Sequence, residues 1–169
     1  KDREMRMLSK PHQVLGALIN YEGKGSLAAF LKNDLGLINS MQWSFSRTSD
    51  MEIFSVSFGL TRQGLERKDD IIGYLFSYLN LIKVQGVPAH LINEVSQLAD
   101  IFWRFKEAEG PRSVIGYAGN MQKFAASRDW LAGSTLIRAP IQVSAVIDLT
   151  RKLTPEDALV SYISREVGS

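Results

Sequence analysis

His12 and His90 are the only imidazoles in a chain of 169 residues that has no cysteine at all. A hydrolytic zinc site needs two or three histidines or carboxylates at fixed spacing, commonly two His on one helix face with a Glu between or beside them. Neither histidine has a second imidazole within a helical turn: Gln13 to Gly16 follow the first and Leu91 to Glu94 the second. Both read as helix-start or surface residues. A Ser/His/Asp triad has as little support, because no Gly-x-Ser-x-Gly elbow is present. The run Gly23-Lys24-Gly25-Ser26 stands ahead of a helix, where backbone N–H groups can cradle a phosphate. It lacks the spacing of a nucleotide loop and the preceding strand, so it reads as a turn with a serine cap. Glu107 and Glu109 beside Arg104, Lys106 and Arg112 have the spacing of a solvated ion-pair cluster. Asp69 and Asp70 fall where a helix start favours carboxylates.

The elements that would position any site begin with two extended runs between Leu37 and Thr61. Leu37, Met41, Trp43 and Phe45 alternate with Ile38, Ser40, Gln42, Ser44 and Ser46; Phe54, Val56, Phe58 and Leu60 alternate with Ile53, Ser55, Ser57 and Gly59. A period of two marks a half-buried strand, so the runs predict an antiparallel hairpin turning at Arg47 to Met51. Its aromatic face, Trp43 included, faces a core, and its small, hydroxyl-rich face is suited to lining a chamber.

Helices account for most of the rest. Ser9 and Pro11 signal the start of a first helix with Val14, Leu15, Leu18 and Ile19 on one stripe. Met5 to Leu8 before it is compatible with the tail of a strand. Ser26 caps a short helix to about Asn33 carrying Leu27, Phe30 and Leu31 inward, and Gly36 ends it. Thr61 caps the helix leaving the hairpin. Ile71, Ile72, Leu75, Phe76, Leu79 and Ile82 mark a long helix stopped by Gly86 and Pro88. Leu91, Val95, Leu98, Phe102 and Phe105 form the most regular helical stripe, running to about Glu107, and the short loop between the two predicts antiparallel packing. Val114, Ile115, Ala118 and Met121 predict a further helix to about Phe124, Ser127 to Leu131 a single turn, and Ile141, Val146, Ile147 and Leu149 another helix from about Pro140. Thr154, Pro155 and Glu156 then turn into a last strand, Ala158 to Ser164, expected to join the hairpin sheet. The fold class is α+β, an antiparallel or mixed sheet packed against antiparallel helices, in a single domain over residues 1–169.

Composition narrows the function classes. Twenty basic against eighteen acidic residues give a formal charge of +2 with no long basic block, which argues against nucleic acid as partner. No apolar run reaches the roughly 20 residues that cross a bilayer, which argues against a membrane role, and the absence of cysteine suits an oxidising or a reducing compartment. The chain begins at Lys1 without an initiator Met, as a piece of something longer would.

Taken together, Tyr21-Glu22-Gly23-Lys24-Gly25-Ser26-Leu27, Phe54-Ser55-Val56-Ser57 leading to Leu60-Thr61 with Gly64-Leu65, Phe76-Ser77-Tyr78, Phe102-Trp103-Arg104-Phe105-Lys106 with Gly110-Pro111, and Leu153-Thr154-Pro155-Glu156 resemble the pitrilysin and insulysin type of zinc metallopeptidase. The resemblance covers nearly the whole chain. In that family four related domains form two bowls around a chamber, and an inverted His-x-x-Glu-His zinc site lies in the first. This chain resembles the second, non-catalytic domain, so the resemblance implies no cofactor here and zinc in the catalytic domain of a parent peptidase. It implies that the substrate's N-terminal end adds to a strand at Ser40, Met41, Gln42 and Trp43, with Tyr21, Glu22 and Gly23 near that surface. The implied partners are extended or unfolded peptides and the parent's other domains. The family has glycines where this chain has Trp43 and Ser44, and a histidine where it has Tyr21. The alternative within the same superfamily is a structural or assembly domain of a non-proteolytic relative. The compartment stays open between periplasm and cytoplasm, with a lean to the periplasm.

Overall fold

The structure is a computed structural model that describes residues 2–48, 51–107, 110 and 113–163. The elements run α1 (Asp2–Ser9), α2 (Pro11–Ile19), α3 (Leu27–Ala29) continuing as a π turn (Phe30–Asp34), β1 (Ile38–Arg47), β2 (Glu52–Leu60), α4 (Arg62–Glu66), α5 (Lys68–Gln85), α6 (Ala89–Arg104), α7 (Ser113–Lys123), α8 (Asp129–Ala132) and α9 (Val143–Arg151). The class is α+β, as the alternation and helical stripes predict, with one antiparallel two-stranded sheet among the described residues.

Local chemistry explains most boundaries. The Ser26 hydroxyl accepts a hydrogen bond from the Ala29 N–H at 3.1 Å, and that of Thr61 accepts one from the Gly64 N–H at 3.0 Å. Each satisfies an N–H that its helix start leaves unpaired. Gly86, at φ +79°, closes α5. The start of α2 differs from expectation: the residue before Pro11 is Lys10, left-handed at φ 47°, and it contributes no side-chain cap. Met5 to Leu8 belongs to α1 and is not the tail of a strand.

The hairpin keeps its period of two, with Met41, Trp43, Phe45, Phe54, Val56 and Phe58 half-buried and Ser40, Gln42, Ser44, Ser46, Ser55 and Ser57 exposed. Ile38 is the exception. Alternation assigns it to the serine face, yet it is buried, because the ladder is irregular between Ile38 and Ser40. The bulge opposes Ile38 to Leu60 and Ser40 to Gly59, returning Ile38 to the core side.

Two apolar clusters hold the sheet to the helices. Val14, Leu15, Ile19, Leu79, Ile82, Leu91, Val95 and Val146 form one; Leu27, Leu31, Leu37, Ile38 and Ile71 form the other. Helices α5 and α6 share the first cluster, but α6 lies chiefly along α2 and α5 along α9. Three apolar assignments change. Phe30 is 37% exposed and meets Tyr74 edge-on instead of pointing inward. On α7 the buried residue is Asn120, while Ile115 and Met121 face out. On α6 the stripe is buried at Leu91 and Val95 but exposed at Leu98 and Phe102, and the helix ends at Arg104 and not near Glu107, which leaves Phe105 as its exposed C-cap. Residues 158–163 pair with neither strand, and Ser164 lies outside the described residues.

Candidate peptide-binding edge

Helix α2 backs β1 at two matched points. The His12 ring stacks on Phe45 with centroids 4.1 Å apart and planes at 13°. Gly16 lies so close under the Trp43 ring that any Cβ there would overlap it. Four helical residues advance about 6 Å and two strand residues about 6.8 Å, so the contacts stay in step. Since higher numbers on α2 meet lower numbers on β1, the helix runs antiparallel to the strand. Its last turn and Met41 join the same core. The turn that follows, Tyr21 to Gly23, therefore leaves α2 towards the Ser40 end of β1.

The residues singled out in sequence thus divide. Ser40 and Gln42 are exposed on the open face of β1, and Met41 and Trp43 are half-buried on the opposite face. The Trp43 ring stacks on Phe54 at 5.7 Å, so its bulk lies on the core side, away from the Ser40, Gln42 and Ser44 side chains. Tyr21 is 54% exposed and its ring packs over Gly23, where a Cβ would overlap it. Glu22 is exposed with Lys32 Nζ 3.7 Å away. Ser26 spends its hydroxyl on α3, so the Gly23–Ser26 turn is the capped turn expected of it and not a phosphate cradle.

The far end of β1 is basic and partly buried. Arg47 Nε lies 2.7 Å from Glu52 Oε1, a charge contact without hydrogen-bond alignment, and the guanidinium sits 5.2 Å from the Phe45 ring centroid. His12 is no surface residue: burial, then Arg47 and Lys10, lower its pKa to about 4, and its Nδ1 is buried without a hydrogen-bond partner. Only the match of His12 and Gly16 to Phe45 and Trp43 could have signalled this. Lys10, missed altogether, is 4% exposed and donates through Nζ to the carbonyls of Gly133, at 2.7 Å, and Leu136. Burial, opposed by Asp129, brings its pKa down to about 8. Asp129 in turn holds Arg138 at 3.2 Å.

These residues do not fit a zinc site. Among the described residues no three His, Asp or Glu side chains come together to hold a metal ion, and His12 and His90 start different helices, one stacked and one exposed. Glu107 is exposed, and Glu109 and Arg112 of the charged cluster lie outside the described residues. Asp70 pairs with Arg67 at 2.8 Å, and Asp69 accepts a hydrogen bond from the Tyr162 hydroxyl at 3.1 Å. What the geometry offers is β1 itself: one face backed by α2, the other open, and an edge opposite β2 that no described strand occupies. Such an edge presents unpaired N–H and C=O groups to any extended chain.

Comparison with known proteins agrees with this fold. The family model described as the Peptidase M16 inactive domain matches residues 8–98. The Arabidopsis thaliana protein named insulin-degrading enzyme-like 1, peroxisomal, is 33% identical over 164 residues, 92% of this chain and 16% of its own length. The human insulin-degrading enzyme is 28% identical over 160 residues, 93% of this chain and 15% of its own. The crystal structure of pitrilysin superposes with a TM-score of 0.81 at 20% identity, covering 91% of this chain and 16% of that one. The chain therefore spans less than a fifth of the length of these relatives.

Proposed function

Because the chain belongs to the insulysin and pitrilysin type of M16 peptidase family, as that family's inactive domain, we propose that it is a catalytically silent wall of a peptidase chamber whose strand β1 anchors extended peptide. The observation that carries this reading is the free edge of β1, backed by α2 on one face and left uncovered on its serine face. An incoming peptide adds as a third strand, its backbone pairing with the outward N–H and C=O groups of Ser40 to Trp43. Tyr21, Glu22 and Gly23 border the end where it enters. Trp43 does not block the anchor in this reading, because its ring is committed to Gly16 and Phe54. The partners are extended peptides and the other domains of a longer peptidase, one of which would hold a zinc ion to supply Lewis-acid chemistry for peptide hydrolysis.

Titration of the isotope-labelled chain with an unstructured peptide, followed by backbone amide shifts, tests the anchor. Shifts concentrated at Ser40 to Trp43 are expected; their absence at millimolar peptide would leave the domain a scaffold only, the alternative of a structural or assembly role. Chelator-sensitive peptide hydrolysis by the purified chain would overturn its catalytic silence.

A further inference from the structure

The ladder between β1 and β2 has one irregularity, at its start. From Ser40↔Gly59 to Arg47↔Glu52 the partners follow one another without a break, eight residues on β1. That length of strand spans about 27 Å, twice the four residues that the resemblance marks as the anchor. In an antiparallel pair alternate residues direct their N–H and C=O to the partner and the intervening ones direct them outward. With the Thr48 N–H directed to Met51, the backbones of Ser46, Ser44, Gln42 and Ser40 face β2, so the outward groups of Phe45 and Arg47 are as open to pairing as those of Met41 and Trp43. A bulge bounds the edge at Asn39, whose side-chain amide turns to the Leu60 carbonyl at 3.4 Å. The hairpin turn bounds it at Thr48, whose N–H donates to the Met51 carbonyl.

The side chains along this edge carry little discriminating chemistry. Ser40, Gln42, Ser44 and Ser46 are small or neutral and exposed, and the aromatic face is already filled by Gly16, His12 and Phe54. Arg47, the one charge, is engaged by Glu52 at 2.7 Å. Building on the anchor reading above, we infer that the binding edge is the whole of Ser40 to Arg47 and that it selects peptides by about eight residues of continuous, proline-free extended backbone, not by side-chain identity. Proline is the natural discriminator because it cannot donate to a ladder and survives in a strand only where its nitrogen points away from the partner.

The test uses Ser/Thr/Val peptides of four, six, eight and ten residues, with affinity and amide shifts measured on the labelled chain. Affinity should rise by about tenfold or more between four and eight residues, since each added ladder bond contributes about 0.5–1.5 kcal/mol, and then level off. The eight-residue peptide should shift the amides of Phe45 to Arg47, which the four-residue peptide leaves unmoved. A proline scan should weaken binding at alternate positions along all eight residues, and exchanging Ser for Asp or Lys should change affinity less than about threefold. Affinity that saturates at four residues, or indifference to proline beyond the fourth, would overturn the inference and leave the shorter anchor standing. Shifts confined to Glu52–Leu60 would assign the peptide to the other edge and overturn it as well. If no peptide moves any β1 amide, the anchor reading itself fails and the inference falls with it.

Discussion

The seam between α2 and β1 and the second half of α6 are built from the same kinds of residue, yet one is closed and the other open. At the seam, the His12 ring stacks on Phe45 and Gly16 fits under the Trp43 ring, while Val14, Leu15 and Ile19 of the same helix are fully buried. On α6, Leu91 and Val95 are 8% and 7% exposed while Phe102 and Phe105 on the same predicted stripe are 70% and 80% exposed. Length explains the contrast. Helix α2, on which α6 lies, has nine residues against sixteen, about 13 Å against about 24 Å. Beyond its end α6 overhangs an open groove of about 840 Å³ lined by Ile101, Phe102, Phe105, Lys106 and Thr135. Apolar periodicity identifies a face that needs a cover; only the neighbouring element supplies one.

Substitutions should sharpen that contrast. At the seam, Gly16→Val forces a side chain into the Trp43 ring and should lower the unfolding free energy in urea by about 2–3 kcal/mol. At Gly116 on α7, where a Cβ meets nothing within 4 Å, Ala should instead add about 0.5–1 kcal/mol. Equal effects at the two glycines would mean that the seam is loose. The second measurement is pH dependence. His12 titrates near 4 in the fold against an ordinary value of 6.5, so the unfolded chain binds more protons between those values. Its contribution is present above about pH 6.5 and is lost as pH falls through about 4, on the order of 3 kcal/mol. His12→Phe keeps a ring on Phe45 and should flatten this part of the stability profile; an unchanged slope would place the titration elsewhere. The smallest effect belongs to the overhang. Phe102→Ser with Phe105→Ser should change folding stability by no more than about 0.5 kcal/mol, whereas Leu91→Ala on the same stripe should cost about 2–4 kcal/mol. A loss for the phenylalanine pair as large as that for Leu91 would show the overhang to be covered within the chain.

Both strands, the caps at Ser26 and Thr61 and the stop at Gly86 follow from residues within a few positions of one another, because alternation, capping and positive φ are local physics. The candidate edge at Ser40 to Trp43 was likewise readable as a strand with one polar face. The same alternation reaches Ser46; Arg47, which the pattern assigns to the turn, instead ends the strand, because β2 keeps register with it as far as Glu52. Tertiary structure alone decided the rest. The bulge turned Ile38 inward, Phe45 drew His12 out of solvent, the end of α2 left Phe102 and Phe105 uncovered, and residues 158–163, β-branched and aromatic, found no strand to pair with. Each outcome depends on a partner distant in sequence, and a strand's propensity or a helix's stripe states only what a segment can bury, not what arrives to bury it.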